Sequence, residues 1–413
     1  MVLNKKITAY LILVVSLLVG YYFEENSSGG AKIDNDYLMP FVVDLSSNFE
    51  NGLLNYFNNK STLIHSPVFY LIISFGLSFT SNLETLNILY VFISSILPYI
   101  FYKVLSTKFK NYSEFLFFFS LIIFISPYFR SSAIWLLGDN LSLIFFSLFS
   151  LFLLKSDTKK NFIFISLTFL VLCCYIRYYY CLFYIFFLYK IFFENNYSLR
   201  TKIFILLLSS LFALPAIFYL KHIITYHDFF GALQTFGGTN YLNSSLLILS
   251  IILFYLIPFF WNDIFKIINF YKKNLTSFVI ILFLFFTVFF LNINFDLFSF
   301  PNRGGGVLFK LVNFLNFNIS ITMIIISTIS LLILNYIFDK NKLKNYLLIV
   351  ILIFSLSLNI IYQKYLDPLF IIILFSLIDT DVISEKIKKK QINISLVFIY
   401  FFSFYSFSLF YYL

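Results

Sequence analysis

The chain has little charge. Only 12% of its 413 residues are Asp, Glu, Lys or Arg, against about 25% in an ordinary soluble domain. So few charges exclude a soluble globular fold and a disordered chain, because neither keeps so much apolar surface out of water. Cysteine is scarce too. Cys173, Cys174 and Cys181 are odd in number, lie in apolar sequence and form no CxxC pair, which argues against a disulfide scaffold and against a thiolate metal or redox centre. The three histidines are His65, His222 and His227, too few for a histidine-rich metal site. No metal and no cofactor are expected. The basic excess, 29 Lys and Arg over 19 Asp and Glu, is spread thinly along the chain. It therefore excludes a nucleic-acid partner of the usual kind and reads as a topology signal.

What fills the space is apolar: 61% of residues are hydrophobic, 23% are aromatic and the mean hydropathy is +0.90. Apolar runs recur along the chain between short Lys/Asn/Asp-rich breaks. A membrane helix needs about 20 residues at about 1.5 Å each. The runs predict an all-α, polytopic membrane protein with about 13 transmembrane helices, near 7–23, 86–104, 113–129, 137–154, 161–176, 178–193, 202–219, 245–261, 275–292, 316–338, 345–361, 368–379 and 392–411. Lys5 and Lys6 precede the first run, and no small-residue cleavage site follows it. It reads as a retained helix rather than a signal peptide. The whole of 1–413 reads as one transmembrane domain with no separate soluble domain.

With the N-terminus inside and the C-terminus outside, 21 of the 29 Lys and Arg fall on the inner side, as the positive-inside rule requires. The apolar segment 66–79 must then stay on the outer side as an interfacial or re-entrant helix. It is about 22 Å long, too short to cross. The stretch 161–193 is too long for one span and breaks near Arg177. An unpaired Arg at mid-bilayer costs about 3 kcal/mol or more, so Arg177 is expected to have a partner or a polar recess.

Inner loops are short and lysine-rich. The long loops, 24–85, 220–244 and 293–315, lie outside, and the first of them is expected to carry interfacial helices. Irregular backbone near a membrane is tolerated where it lines a cavity, so the functional site is expected on the outer face. The first loop is acidic: Asp34 and Asp36 stand two residues apart just after span one. Either carboxylate is placed to act as a general base at the membrane surface, or both are ordinary solvated loop acids. Spans three and four meet at Ser126-Pro127-Tyr128-Phe129-Arg130 and Gly138-Asp139-Asn140. Arg130 and Asp139 either pair with each other or serve a ligand, since the Arg fork suits phosphate. The run Arg303-Gly304-Gly305-Gly306 reads as a plain turn or as an anion nest of backbone N–H groups. Lys364 and Asp367, near the C-terminal end, are further candidates. Lys364 otherwise reads as a snorkelling interface lysine.

The order of these outer-face features resembles the GT-C superfamily of integral-membrane glycosyltransferases. The likeness is to the lipid A aminoarabinose transferase, protein O-mannosyltransferase and RgtA/B/C/D-like branches. It rests on the acidic first loop, on His65-Ser66-Pro67, on Ser126-Pro127 with Arg130 and Asp139-Asn140, on Arg177, and on Lys364-Tyr365 with Pro368. The family's acidic pair stands here as Asp34-Asn35-Asp36 and its His-Pro-Pro run as His65-Ser66-Pro67. The resemblance implies an inverting transfer of sugar from a polyprenyl-phosphate-linked donor to an envelope glycan, glycolipid or protein acceptor. Asp34 or Asp36 would be the base, and basic residues matching Arg130, Arg177 or Lys364 would hold the donor phosphate. Such a leaving group is stabilised by Lys and Arg without a metal. A transporter or flippase for a lipid-linked saccharide, or an O-antigen polymerase or ligase, is the alternative. The Phe, Ile, Asn, Lys and Tyr bias is that of an AT-rich genome, and a bacterial plasma (inner) membrane is the expected location.

Overall fold

A computed structural model describes residues 2–58, 66–80, 82–110, 112–226, 241–290, 304–356 and 361–412. They are overwhelmingly helical, with no strand among them. Among the described residues, seven helices are long and apolar enough to cross a membrane, eight if one bent pair is a single span. The protein is polytopic and membrane-embedded. By contacts it divides into two compact units. One comprises Met1–Ala232 with Phe398–Leu413, the other Leu233–Val397.

The first unit begins with α1 (Val2–Tyr22), then three helices in the first loop: α2 (Ala31–Ser47), α3 (Phe49–Asn58) and α4 (Val68–Thr80). Thirteen residues make α4 about 20 Å long, too short for a span. Its buried face (Phe69, Tyr70, Ile73, Leu77) joins the core cluster formed with Leu38, Val42 and Leu45 of α2. The centre of the unit is α5 (Leu83–Lys108) packed on α8 (Gly138–Lys155) and α8 on α9 (Phe162–Ile176). Small residues permit these close approaches: Ser142, Ser147 and Ser150 of α8 are buried, and Ser166 of α9 donates to the Phe149 carbonyl at 3.0 Å. Asp139 in the first turn and Lys155 in the last suit the dipole of α8.

Several expected spans are not straight helices. The run 113–129 is α6 (Ser113–Ser120) continued by a 3-10 turn, Leu121–Ile125. It breaks at Ser126 and turns 67° into α7 (Pro127–Ile134). The cause is local. Pro127 has no N–H to give the incoming helix but suits the first position of a new one, and Ser126 caps that helix by accepting from the Phe129 N–H. The stretch 161–193 also breaks: α9 ends at Ile176, Arg177 is extended, and the chain continues as a 3-10 turn (Tyr178–Leu182), α10 (Phe183–Tyr189) and a π turn (Lys190–Glu194). Then comes α11 (Leu199–Tyr226).

The second unit is built on α12 (Tyr241–Phe260), buried almost all round. It is followed by α13 (Ile264–Lys273), α14 (Leu275–Phe290), α15 (Gly306–Phe314), α16 (Ile319–Ile337), α17 (Lys342–Leu356), α18 (Leu369–Ser376), α19 (Asp381–Lys388) and the start of α20 (Ile394–Tyr412). The run expected as a span at 368–379 contains only the eight-residue α18, every residue of it buried. Its hydrophobicity serves protein packing and not lipid contact. At one end of this unit the lysine-rich segments are ion-paired. Asp263 meets Lys386 and, at 2.9 Å, Lys266. Asp379 holds Lys344 at 2.7 Å.

Gly304, Gly305 and Gly306 all have φ near +80°, a region costly for any residue with a Cβ. A Cβ on Gly306 would lie 2.6 Å from Ile251 Cγ1. Gly306→Ala is therefore expected to destabilise the protein by about 2 kcal/mol, read as a lower thermal midpoint in detergent. Gly30→Ala is the control: its backbone is not left-handed and its Cβ meets nothing within 4 Å.

Candidate functional site

The end of α1 runs directly into the acidic loop, and the loop is tied to α7. Glu25 is almost wholly buried, as is Arg130. The guanidinium donates from Nε to Glu25 at 2.9 Å and from a terminal nitrogen at 2.5 Å. Its remaining N–H groups reach the Ser16 hydroxyl and carbonyl, each at 3.0 Å. Tyr405 donates to the same carboxylate at 2.9 Å and lies under the guanidinium, 4.9 Å from ring centre to Cζ. Ser27 donates to the Pro127 carbonyl, and Trp135 Nε1 donates to the Glu25 carbonyl. Arg130 thus pairs with Glu25, not with Asp139, and its fork is occupied within the protein.

Asp139 instead pairs with Arg177 at 2.8 Å, each side chain only 15% exposed. Arg177 closes α9 with extended backbone, and Asp139 stands in the first turn of α8, so the α8–α9 packing brings them together. The expectation that Arg177 needs a partner is met by this contact. One guanidinium donor, Nε, is buried with no hydrogen-bond partner among the described residues. Tyr70 of α4 lies beside the pair. Burial pushes its hydroxyl well above the usual tyrosine value, the Arg177 guanidinium pulls it back, and Tyr37 and Asp34 add to the rise. Asp34 and Arg177 are therefore both within electrostatic reach of one phenol.

Asp34 sits in the first turn of α2, half-buried, while Asp36 is exposed. The neighbouring Asn35 anchors the turn: it is buried and donates to the Trp135 carbonyl at 2.7 Å. With Ala31, Asn35 and Leu38 on the buried face of α2, about 100° per residue puts Asp34 at the edge of that face and turns Asp36 away from it.

Asp139 is expected to matter for stability. Asp139→Ala leaves the Arg177 charge without its carboxylate and should cost about 2 kcal/mol, measured by thermal unfolding. The loss should be smaller than that from opening the more deeply buried Glu25–Arg130 pair.

In the second unit the glycine run is spoken for. The Gly305 N–H donates to the Ile361 carbonyl at 2.8 Å, and the Val307 N–H donates to Gln363 Oε1 at 2.9 Å. Gln363 in turn donates to the Tyr255 hydroxyl at 3.1 Å. One N–H that an anion nest would offer, that of Gly305, thus already has a protein acceptor, and the run leads directly into α15. Lys364 lies over the rings of Tyr362 and Tyr365, at 5.4 and 5.8 Å. Asp367 is buried. His65 and Arg303 lie outside the described residues.

Sequence reasoning missed Glu25, Ser16, Tyr405, Tyr70 and Gln363. Glu25 is one of seven carboxylates in the acidic loop, and nothing local marks it as the buried one. Tyr70 stood inside the apolar run read as interfacial. No protein-family model, no curated protein and no solved structure matches the chain.

Proposed function

We propose that the protein is a GT-C-type membrane glycosyltransferase. It transfers sugar from a polyprenyl-phosphate-linked donor to an envelope glycan, glycolipid or protein acceptor, with inversion at the anomeric carbon. The observation that carries the reading is that the half-buried Asp34 and the Arg177 of the Arg177–Asp139 pair both act electrostatically on Tyr70. An inverting transfer needs one carboxylate to take the acceptor proton and a cation to stabilise the departing phosphate. Asp34 fills the first role in this scheme and Arg177, with its spare Nε donor, the second. Asp139 keeps the guanidinium oriented. Arg130 acts through Glu25 as a strut for the acidic loop and does not touch the donor.

The reading includes about thirteen crossings with the N-terminus inside; some are short or broken, and the run 368–379 is counted as a short helix packed within protein. It puts the Asp34–Arg177 neighbourhood on the outer face of a bacterial plasma membrane. The lysine-rich ion pairs of the second unit support that sidedness, since they fall in segments assigned to the inner side.

The test uses purified protein in proteoliposomes, supplied separately with polyprenyl-monophosphate and polyprenyl-diphosphate sugars. Transfer from the monophosphate alone is expected. Transfer from the diphosphate alone overturns the donor assignment in favour of a polymerase or ligase.

A further inference from the structure

The helical stretch Tyr241–Lys273 has 33 residues, about 50 Å if straight, against about 30 Å of hydrocarbon. One bilayer cannot hold all of it along one axis, and the backbone breaks. Phe260 and Asp263 depart from helical geometry around a 3-10 turn, Trp261–Asp263, and the ten residues of α13 follow. One face of α13 is pinned to protein. Asp263 is buried and ion-paired with Lys386 of α19. Tyr271 is buried, donates to the Leu332 carbonyl of α16 at 2.8 Å and accepts from Asn335 at 3.0 Å. The other face is bare. Ile264, Phe265 and Ile268 recur at helical spacing and are exposed, Phe265 by 81%; Trp261, one turn earlier, is 61% exposed. No acidic residue lies in α13. Its last turn ends in Lys272 and Lys273, both exposed and without a salt bridge among the described residues.

Water is a poor environment for such an apolar stripe, and the bilayer centre is a costly one for two unpaired lysines. Both are satisfied where the helix lies along the membrane boundary, with its apolar side chains toward the acyl chains and its ammonium groups among the headgroups. Tryptophan suits the same level. We propose that α13 is a binding site for anionic phospholipid of the surrounding membrane. Trp261, Ile264, Phe265 and Ile268 enter the acyl region, and Lys272 and Lys273 hold the headgroup phosphate. Charge complementarity selects the lipid, because the bare face carries cations and no carboxylate. The clamps at Asp263 and Tyr271 fix which face of α13 meets it. The proposal stands on the placement of α13 and depends neither on the glycosyltransferase reading nor on which side of the membrane α13 occupies.

The experiment places the purified full chain in vesicles of phosphatidylglycerol and phosphatidylcholine in equal parts, with brominated acyl chains on one lipid or on the other. Bromine quenches nearby tryptophan emission. The chain has two tryptophans, so the difference between wild type and Trp261→Phe isolates Trp261. Both lipids are expected to quench it, and brominated phosphatidylglycerol more strongly, with a preference of about fivefold per lysine that weakens as salt is raised. The double variant Lys272→Gln with Lys273→Gln should keep the wild-type thermal midpoint, keep the quenching and lose the preference. Equal quenching by the two lipids in wild type overturns the proposal. So does a Trp261 that neither lipid quenches, which would put α13 in water or against another protein, and so does an undiminished preference in the double variant.

Discussion

Arg130→Ala is expected to destabilise the protein by roughly 3–5 kcal/mol, the cost of opening a buried ion pair from one side. The substitution leaves the Glu25 carboxylate, 6% exposed, with Tyr405 as its remaining side-chain donor among the described residues. It also releases the Ser16 contacts that hold α1 to α7. Glu25→Gln strands the guanidinium instead and should cost a comparable amount. Arg130→Lys should recover only part, because an ammonium lacks the planar fork that serves Glu25 and Ser16 together. Removing both partners should cost less than the sum of the single changes. Thermal unfolding in detergent reads all four variants. An Arg130→Ala protein that melts with wild type would show that the pair does not hold the acidic loop.

Asp34→Asn is expected to lower the rate of sugar transfer by about 10²–10⁴-fold, the usual worth of a positioned general base. Asn keeps the size and first-turn position of Asp34 but does not accept the proton of the acceptor hydroxyl. The fold should be unaffected, because the turn is anchored by Asn35 on Trp135. Asp36→Asn alters an exposed side chain and should leave the rate unchanged. Transfer kinetics with a labelled polyprenyl-monophosphate sugar distinguish the two positions. Equal losses at both would remove the distinction drawn from burial.

The membrane-embedded, all-helical character follows from composition, because so apolar a chain has few other places to fold. Long runs such as 83–108 and 138–155 are legible for the same reason. Hydropathy fails where helix length and burial part company. The run at 368–379 is as apolar as a span, yet its eight-residue helix is buried on every side. The run at 113–129 carries its own break at Ser126-Pro127, and the angle there depends on how α7 packs. At the site, the need of Arg177 for a partner was readable from the cost of burying an unpaired charge. The identity of that partner was not. Asp139 lies 38 residues away in sequence and Glu25 lies 105 residues from Arg130. Local patterning put Arg130 with its near neighbour Asp139; packing paired each with a distant residue. The choice between Asp34 and Asp36 needed the Asn35 anchor, which exists only once Trp135 is in place.

The most direct measurement follows sugar transfer and lipid flipping in the same proteoliposomes, for wild type and Asp34→Asn, with a labelled polyprenyl-monophosphate sugar. The account predicts a glycosylated product of inverted anomeric configuration from wild type and almost none from Asp34→Asn, with both proteins equally folded. Flipping of the labelled lipid by both proteins, with no product from either, would contradict it and make the protein a transporter of the lipid-linked sugar.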